Sequence, residues 1–361
     1  MRVLFPTAAE SASPRPVPAT ARVTGGAPTH AARRTAGRAQ TRVSTRVLPG
    51  ARAGRVGEAP SIMAATQPRN GAIASLDEAD VWLNSPPLTA TALRGRVVLV
   101  DFWTYSCVNW LRTLPYVRAW SERYAERGLV VVGAHAPEFG FEHDLPNVRR
   151  AVADLAVPYP VVIDNDFAIW RAFGNHYWPA FYLVDGQGHV RYEHFGEEAY
   201  AEEEEAIQGL LDVDEELVRV DAGGLSQAAD WASLGSPETY LGGARGDRPV
   251  AGDPSLNEWA LTGRWAVEEE SAVLEAGPGS LAYRFEGRDL NLVMGGSGRF
   301  TVRLDGEPPG DDHGIDVNGS GEVALTEPRM YQLVRQRAAA RRTFEITFHE
   351  PGARVYVFTF G

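Results

Sequence analysis

The chain of 361 residues contains one cysteine, Cys107, which follows a short apolar segment at the predicted start of a helix. Residues 97–103 are mostly β-branched or aromatic, which predicts a buried strand, and the periodicity of residues 108–127 predicts a helix. Unpaired backbone N–H groups and the dipole at a helix N-terminus favour a thiolate over a thiol. We therefore expect Cys107 to have a pKa below the ordinary value of about 8.5 and to act as a nucleophile.

Alternating strands and helices are predicted to position this thiol. Residues 129–134 form the next predicted buried strand, and the segment from His135 to Glu142 follows its end, where ligands bind in α/β folds. Helices are predicted near residues 147–156 and 167–173, and strands at residues 159–163, 181–184 and 189–195. This order predicts an α/β domain with a largely parallel sheet and a final antiparallel hairpin.

The strand, the cysteine at the turn and Pro115 eight residues later resemble the thioredoxin superfamily. The segment Trp103-Thr-Tyr-Ser-Cys107 resembles the thiol-disulfide oxidoreductase branch of that superfamily. The chain departs from the Cys-x-x-Cys motif of the family, because Trp110 occupies the position of the second, resolving cysteine. No internal disulfide can form. Trp110 lies at i+3 on the same helix face, where it cannot resolve a mixed disulfide but can cover the thiol with an apolar ring.

Pro179 lies directly before a predicted strand, in the segment Tyr177-Trp-Pro-Ala180. The resemblance implies a cis-proline that faces the active cysteine and presents its backbone to a bound substrate. Most X-Pro bonds are trans, but the upstream motif makes Pro179 our candidate for this cis-proline.

The predicted site has Cys107 as its catalytic nucleophile. Glu138 and His135 are candidates for proton transfer near the thiol, and a structural role in their loop is the alternative. The residues expected in the vicinity of the thiol are Trp103, Thr104, Tyr105, Trp110, Glu138, Trp178 and Pro179.

From residue 237 onward the predicted strands are short and separated by Gly, Asp and Pro, which is typical of a jelly-roll-like β-sandwich. Ser236–Gly242, Trp259–Trp265 and Val357–Gly361 resemble the carbohydrate-binding-module-like domain that follows the thioredoxin domain in DipZ-type redoxins. The resemblance implies a membrane-spanning domain ahead of this pair, which we do not find in the sequence. Four aromatic residues are candidates for a sugar-stacking platform, although we expect core packing instead. They are Trp259, Trp265, Tyr283 and Tyr331.

Four segments follow from these patterns. Residues 1–62 hold ten arginines and two acids without apolar periodicity, which predicts a disordered basic extension. Translation from Met63 is the alternative. Residues 65–215 are the predicted thioredoxin-like domain, residues 216–236 a linker, and residues 237–361 the β-sandwich. Since no catalytic constellation is visible in the last segment, we expect an accessory domain whose removal leaves the reactivity of Cys107 nearly unchanged.

The first functional hypothesis is a monothiol thiol-disulfide oxidoreductase. The Cys107 thiolate would attack a disulfide and form a mixed disulfide, which an external low-molecular-weight thiol must resolve. The expected partners are a disulfide-containing protein or a small thiol.

Two other hypotheses remain open. A one-cysteine peroxidase is suggested because Thr104-x-x-Cys107 matches the end of the peroxiredoxin pattern, although Val100 replaces the proline of that pattern. A peroxide substrate would then oxidise the thiol to a sulfenic acid. The third hypothesis is a non-catalytic thioredoxin-fold protein that binds a partner or a glycan.

Composition limits the remaining classes of function. One cysteine excludes an intrachain disulfide, and 8 histidines show no Cys/His cluster at zinc spacing, so we expect no metal and no cofactor. A net charge of -12 argues against nucleic-acid binding. The longest apolar runs fall short of the roughly 20 residues of a membrane helix. We therefore expect a soluble cytoplasmic protein without a signal peptide.

Overall fold

The strand that leads to Cys107 lies at the centre of a six-stranded sheet. In the computed structural model, which describes residues 71–361, all seven residues of this strand, Val97–Trp103, are buried. The strand runs parallel to Leu129–His135 and antiparallel to Ala180–Val184. Its nearly continuous apolar sequence is typical of a strand that is covered on both faces.

Between residues 71 and 211 the first domain has six strands and four helices, labelled in chain order. They are β1 (Trp82–Leu83), β2 (Val97–Trp103), α1 (Val108–Arg123), β3 (Leu129–His135), α2 (Leu145–Asp154), β4 (Val161–Ile163), α3 (Ala168–Ala172), β5 (Ala180–Val184), β6 (Val190–Phe195) and α4 (Tyr200–Leu211). The sheet order is β1-β4-β3-β2-β5-β6. Strands β2, β3 and β4 are parallel, and β1, β5 and β6 are antiparallel to their neighbours. The predicted α/β thioredoxin-like domain is confirmed.

Strand β2 contributes to two apolar clusters, because successive side chains of a strand point to opposite faces of the sheet. Leu99 and Trp103 lie in the cluster that includes α1, whereas Val98 and Phe102 lie in the cluster that includes α3. By the same alternation, Asp101 lies on the side of α1. The only charged residue of the strand therefore enters the core next to the helix that begins after Cys107.

The second domain has seven strands between residues 239 and 361. They are β7 (Thr239–Tyr240), β8 (Trp259–Val267), β9 (Ala272–Gly295), β10 (Gly298–Leu304), β11 (Glu322–Leu325), β12 (Arg329–Phe348) and β13 (Arg354–Phe360). Their order is β11-β10-β12-β9-β13-β7, and β8 pairs with β9. All pairs are antiparallel except β13 with β9. The prediction of an all-β second domain is confirmed, as a mainly antiparallel sheet.

Three of the four aromatic residues considered for sugar stacking are core residues. Trp259, Tyr283 and Tyr331 are each at most 1% exposed and pack in the apolar cluster of the second domain. Trp265 is partly buried and packs against the same cluster. The expectation of core packing is confirmed for the three buried side chains.

The two domains share an apolar cluster. Tyr240, Val293 and Tyr356 of the second domain belong to the cluster that contains α1. The ring centroid of Tyr356 lies 5.0 Å from that of Phe139 and 4.9 Å from that of Phe141, both in the loop after β3. The second domain therefore packs directly against the loop in which Glu138 lies.

The predicted boundaries at residues 65–215, 216–236 and 237–361 stay predictions. The predicted extension, residues 1–62, and the alternative start at Met63 lie outside the described residues. Within residues 71–361, no helix has both the length and the apolar character needed to cross a membrane.

Candidate functional site

Cys107 lies at the junction of β2 and α1, where it is the N-cap residue of the helix with an extended backbone. Its Sγ atom lies 3.9 Å from the carbonyl oxygen of Trp178. The Trp178–Pro179 peptide bond is cis, as predicted. The thiol therefore faces the backbone that leads into β5. Its side chain is partly buried.

A buried carboxylate ties the residue before the cysteine to the loop after β3. The Ser106 hydroxyl donates a 2.6 Å hydrogen bond to Glu142 Oε1. The other carboxylate oxygen of Glu142 accepts hydrogen bonds from the backbone N–H groups of Glu138, at 2.6 Å, and Phe139, at 3.0 Å. Burial, followed by the charge of Glu138, raises the pKa of Glu142 to about 7. We did not predict a role for Glu142, because the residue three positions before it is Phe139 and not the Ser or Thr that marks a capping box.

The second domain contributes side chains to the same site. Glu138 Oε1 accepts hydrogen bonds from the Tyr240 hydroxyl, at 2.7 Å, and from Arg245, at 2.8 Å. Glu238 lies close enough for its charge to act on Cys107, and burial together with the charge of Glu138 raises its own pKa to about 8. These contacts argue against the expectation that removal of the second domain leaves the reactivity of Cys107 nearly unchanged, and that expectation stays a prediction. Contacts across more than one hundred residues leave no local pattern in the sequence.

The pKa of the Cys107 thiol is raised, not lowered as the helix position led us to expect. Burial is the largest cause, and the carboxylates of Glu138 and Glu238 act in the same direction. The backbone amides of Trp110 and Asn109 lower the pKa, but by less. Charge and desolvation from the surrounding loops therefore outweigh the helix N-terminus, and the resting thiol is neutral at pH 7.

The Trp110 ring lies in the apolar core of the first domain, and Cys107 packs against the same cluster. The side chain is fully buried, and its indole N–H donates a 3.0 Å hydrogen bond to Asp101 Oδ2. The Tyr159 hydroxyl donates to the same oxygen at 3.1 Å. The ring also stacks on Trp103 with centroids 4.1 Å apart. Position 110 therefore contributes to the packing below the site and gives one oxygen of a buried acid a hydrogen bond.

The remaining predicted residues line the same end of the sheet. Thr104 and Tyr105 are buried in the turn before Cys107. The ring of His135 lies between Trp103 and Tyr105, with centroid distances of 4.9 and 5.9 Å. Burial lowers the pKa of His135 to about 3, so this histidine is neutral at physiological pH. Of the two candidates for proton transfer, only Glu138 acts on the thiol.

Within residues 71–361, no group of three or more His, Cys, Asp and Glu side chains is arranged to hold a metal ion. The described part of the site therefore offers a thiol, carboxyl groups and one guanidinium as its chemical groups.

Two protein-family models match the chain. The redoxin model matches residues 68–210, and the model described as the thioredoxin like C-terminal domain matches residues 234–361. Protein DipZ of Mycobacterium bovis is 34% identical over 299 residues, which cover 78% of this chain and 41% of DipZ. The chain thus spans less than half the length of that relative.

Two further relatives each match about a third of the chain. The chloroplastic protein SUPPRESSOR OF QUENCHING 1 of Arabidopsis thaliana is 40% identical over 110 residues, covering 30% of this chain and 10% of that protein. The thiol-disulfide oxidoreductase YkuV of Bacillus subtilis is 29% identical over 111 residues, covering 31% of this chain and 74% of YkuV.

We predict that alkylation of Cys107 by iodoacetamide has a pH midpoint above the ordinary thiol value of about 8.5. A raised pKa leaves the thiol protonated at neutral pH, so its reactivity should rise only in alkaline buffer. Mass spectrometry of quenched samples gives the profile, and the same chain in guanidinium chloride supplies the unfolded reference. A folded midpoint at or below the unfolded one would contradict the prediction.

A second prediction concerns Asp101, whose pKa burial raises to about 7 against the opposing hydrogen bonds from Trp110 and Tyr159. The folded state then binds the proton of Asp101 more tightly than the unfolded state does. The protonated carboxyl therefore contributes fully to stability below about pH 4, and this contribution is lost as the pH rises to about 7. Between pH 4 and 8, the unfolding free energy of the wild type should fall relative to Asp101→Asn by on the order of 4 kcal/mol.

Urea denaturation across this pH range measures the difference. Asp154→Asn, at an exposed position of α2, is the control and should follow the wild type. Parallel curves for the wild type and Asp101→Asn would show that Asp101 does not titrate with a raised pKa.

Proposed function

We propose that the chain carries out thiol–disulfide exchange with Cys107 as its nucleophile. The premise is that it belongs to the thioredoxin-like superfamily, as a redoxin domain followed by a thioredoxin-like C-terminal domain. The observation that carries this proposal is the position of the thiol. Its sulfur lies at the start of α1 and 3.9 Å from the carbonyl oxygen before the cis-proline. A disulfide next to that backbone would be within reach of the sulfur.

The exchange has two steps. The Cys107 thiolate attacks one sulfur of a substrate disulfide, a bond forms between the two sulfurs, and the other substrate sulfur leaves as a thiolate that takes a proton from water. The 361 residues contain no second cysteine. An external low-molecular-weight thiolate must therefore attack the substrate sulfur of the mixed disulfide, which releases the Cys107 thiolate and leaves a disulfide between the external thiol and the substrate.

Glu138 is the side chain proposed to take the proton from Cys107. Its carboxylate acts on the thiol, and a carboxylate next to a neutral thiol can accept the proton as the sulfur approaches a disulfide. The other residues proposed for the site shape its walls. They are Trp103, Thr104, Tyr105, Trp110, Trp178 and Pro179.

A second candidate is a non-catalytic protein that binds its partner through one or both domains. The raised pKa of Cys107 favours it, because a protonated thiol is a poor nucleophile. The peroxidase hypothesis has less support, since peroxide oxidation also needs a thiolate and the charged side chains that act on Cys107 are carboxylates.

The partners and the location belong to the same proposal. We expect a disulfide-containing protein as substrate, which is consistent with the similarity to the thiol-disulfide oxidoreductase YkuV. Glycan binding by the second domain stays a prediction, and the burial of Trp259, Tyr283 and Tyr331 gives it no support. A reducing compartment such as the cytoplasm suits a chain whose only cysteine is unpaired. Fractionation of cells that express the full chain would test the location.

Trapping of the mixed disulfide tests the function. The full chain is incubated with bis(2-hydroxyethyl) disulfide at pH 8 to 9, and mass spectrometry follows the adduct on Cys107. We expect an adduct that added 2-mercaptoethanol removes, and none with Cys107→Ser. If the unfolded chain forms the adduct and the folded chain does not, the non-catalytic candidate holds. A sulfenic acid formed rapidly with hydrogen peroxide, without an adduct, would favour the peroxidase.

We predict that Trp110→Cys gives the chain a resolving thiol and increases insulin reduction with dithiothreitol at least tenfold. The introduced thiol lies one turn after Cys107, within reach of a disulfide across the helix start. The variant also loses the large buried ring and the hydrogen bond to Asp101, so it should be less stable by about 3–5 kcal/mol.

Trp110→Ala is the matched control, because it opens the same cavity without adding a thiol. Its insulin reduction should stay at the wild-type level. A folded Trp110→Cys variant that cannot form the internal disulfide under oxidising conditions would contradict the assignment of this helix to a thioredoxin-type site.

A further inference from the structure

We propose that Tyr240 and Arg245 of the second domain are positioning residues of the cysteine site, which hold the Glu138 carboxylate beside the Cys107 thiol. The C-terminal domain is then a working part of the site. The inference rests on the proposed role of Cys107, but it concerns the reactivity of the thiol and not the identity of its substrate.

Glu138 is held at one oxygen by two donors from the second domain. The Tyr240 hydroxyl lies 2.7 Å and Arg245 Nη1 lies 2.8 Å from Glu138 Oε1. The side chain of Glu138 is only 10% exposed and that of Arg245 29% exposed. Charge-assisted hydrogen bonds of this kind are stronger than neutral ones and fix the orientation of the carboxylate.

The two donors are themselves held in place. Tyr240 lies in β7, which pairs with β13 opposite Val357. The Arg245 guanidinium stacks 4.0 Å from the centroid of the Tyr240 ring and 5.3 Å from that of Phe139. A tight turn returns the chain to this place, because a Cβ atom on Gly246 would lie 2.1 Å from the Tyr240 carbonyl oxygen. Only glycine fits there.

The opposite end of Glu138 is fixed by the first domain. Its backbone N–H donates to Glu142, and the other oxygen of Glu142 accepts the hydroxyl of Ser106, the neighbour of Cys107. The backbone of Glu138 is thus tied to the cysteine loop, and its carboxylate is tied to the second domain. With both ends held, the carboxylate cannot turn away into water.

The charges of Glu138 and, to a smaller extent, Glu238 oppose ionisation of Cys107, and burial of the thiol is the larger cause in the same direction. If Tyr240 and Arg245 keep the charge of Glu138 at the thiol, their removal should lower the pKa of Cys107 as much as removal of that charge does. A role limited to domain packing would not change the pH profile of the thiol through Glu138.

The test is the pH midpoint of Cys107 alkylation in the full chain. Glu138→Gln should lower the midpoint by about one pH unit, the usual size for loss of a nearby like charge. Tyr240→Phe combined with Arg245→Met should lower it by a similar amount, because the unpaired carboxylate moves into water. Tyr240 and Arg245 also act on Glu238, so the background for the double test is Glu138→Gln combined with Glu238→Gln, in which the same pair of substitutions should cause no further shift.

Two results would overturn the inference. In the first, the Tyr240→Phe/Arg245→Met variant keeps the wild-type midpoint while Glu138→Gln lowers it. In the second, the shifts add in the background that lacks both carboxylates, which would mean that the pair acts on the thiol by another route. Arg264→Met, in an exposed ion pair of the second domain, is the matched control and should leave the profile unchanged.

Tyr240→Phe alone keeps the packing of the ring and provides the measurement if the combined variant does not fold. Tyr240→Phe should lower the midpoint in the same direction. If the folded variant keeps the wild-type midpoint, Arg245→Met is measured next. An unchanged midpoint in Arg245→Met as well overturns the proposal. Formation of the mixed disulfide is measured separately. If the chain forms no mixed disulfide but its alkylation midpoints shift as described, the proposed function is contradicted and the positioning role is not.

Discussion

The geometry of the cysteine site depends on one buried carboxylate, that of Glu142. It receives the Ser106 hydroxyl next to Cys107 and two backbone amides of the loop after β3. Without this acceptor, each buried donor would cost about 1–3 kcal/mol. A single side chain thus fixes two segments that follow neighbouring strands, and it sets where Glu138 can lie relative to the thiol.

The protonation state of the Cys107 thiol depends on the relative size of two opposing effects, the helix N-terminus and desolvation. A helix N-terminus stabilises a nearby anion by about 0.3–1 kcal/mol, which is less than one pKa unit at about 1.4 kcal/mol each. Desolvation can shift a pKa by up to about 3–5 units. At Cys107, burial is the largest cause, and two carboxylates add to it. A helix start is therefore not enough to activate a cysteine when the loops above it remove water and bring negative charge.

The elements that could be predicted from the sequence are those with a local pattern. Strand β2 has a continuous apolar run, and Pro179 was predicted from a motif that places a proline before a strand. The direction of Trp110 could not be obtained from its i+3 spacing, which does not say which side of the helix faces the core. Asp101 was the missed signal, because a charged residue within a buried strand needs a donor. Tyr240 and Arg245 lie 102 and 107 residues from Glu138, and no spacing rule covers that distance.

Trp110 couples the chemistry of the site to the packing of the core. Its indole gives the buried Asp101 a hydrogen bond and fills the space beside Trp103. A cysteine at this position would be smaller and only a weak donor, so it would leave a cavity and a poorly satisfied acid. The absence of a resolving thiol is thus accompanied by a core built around its replacement. In the exchange that we propose, the second thiol comes from outside, and it would have to approach Cys107 past the groups that surround it. Those groups belong to both domains, since Tyr240 and Arg245 of the second domain donate hydrogen bonds to the carboxylate of Glu138.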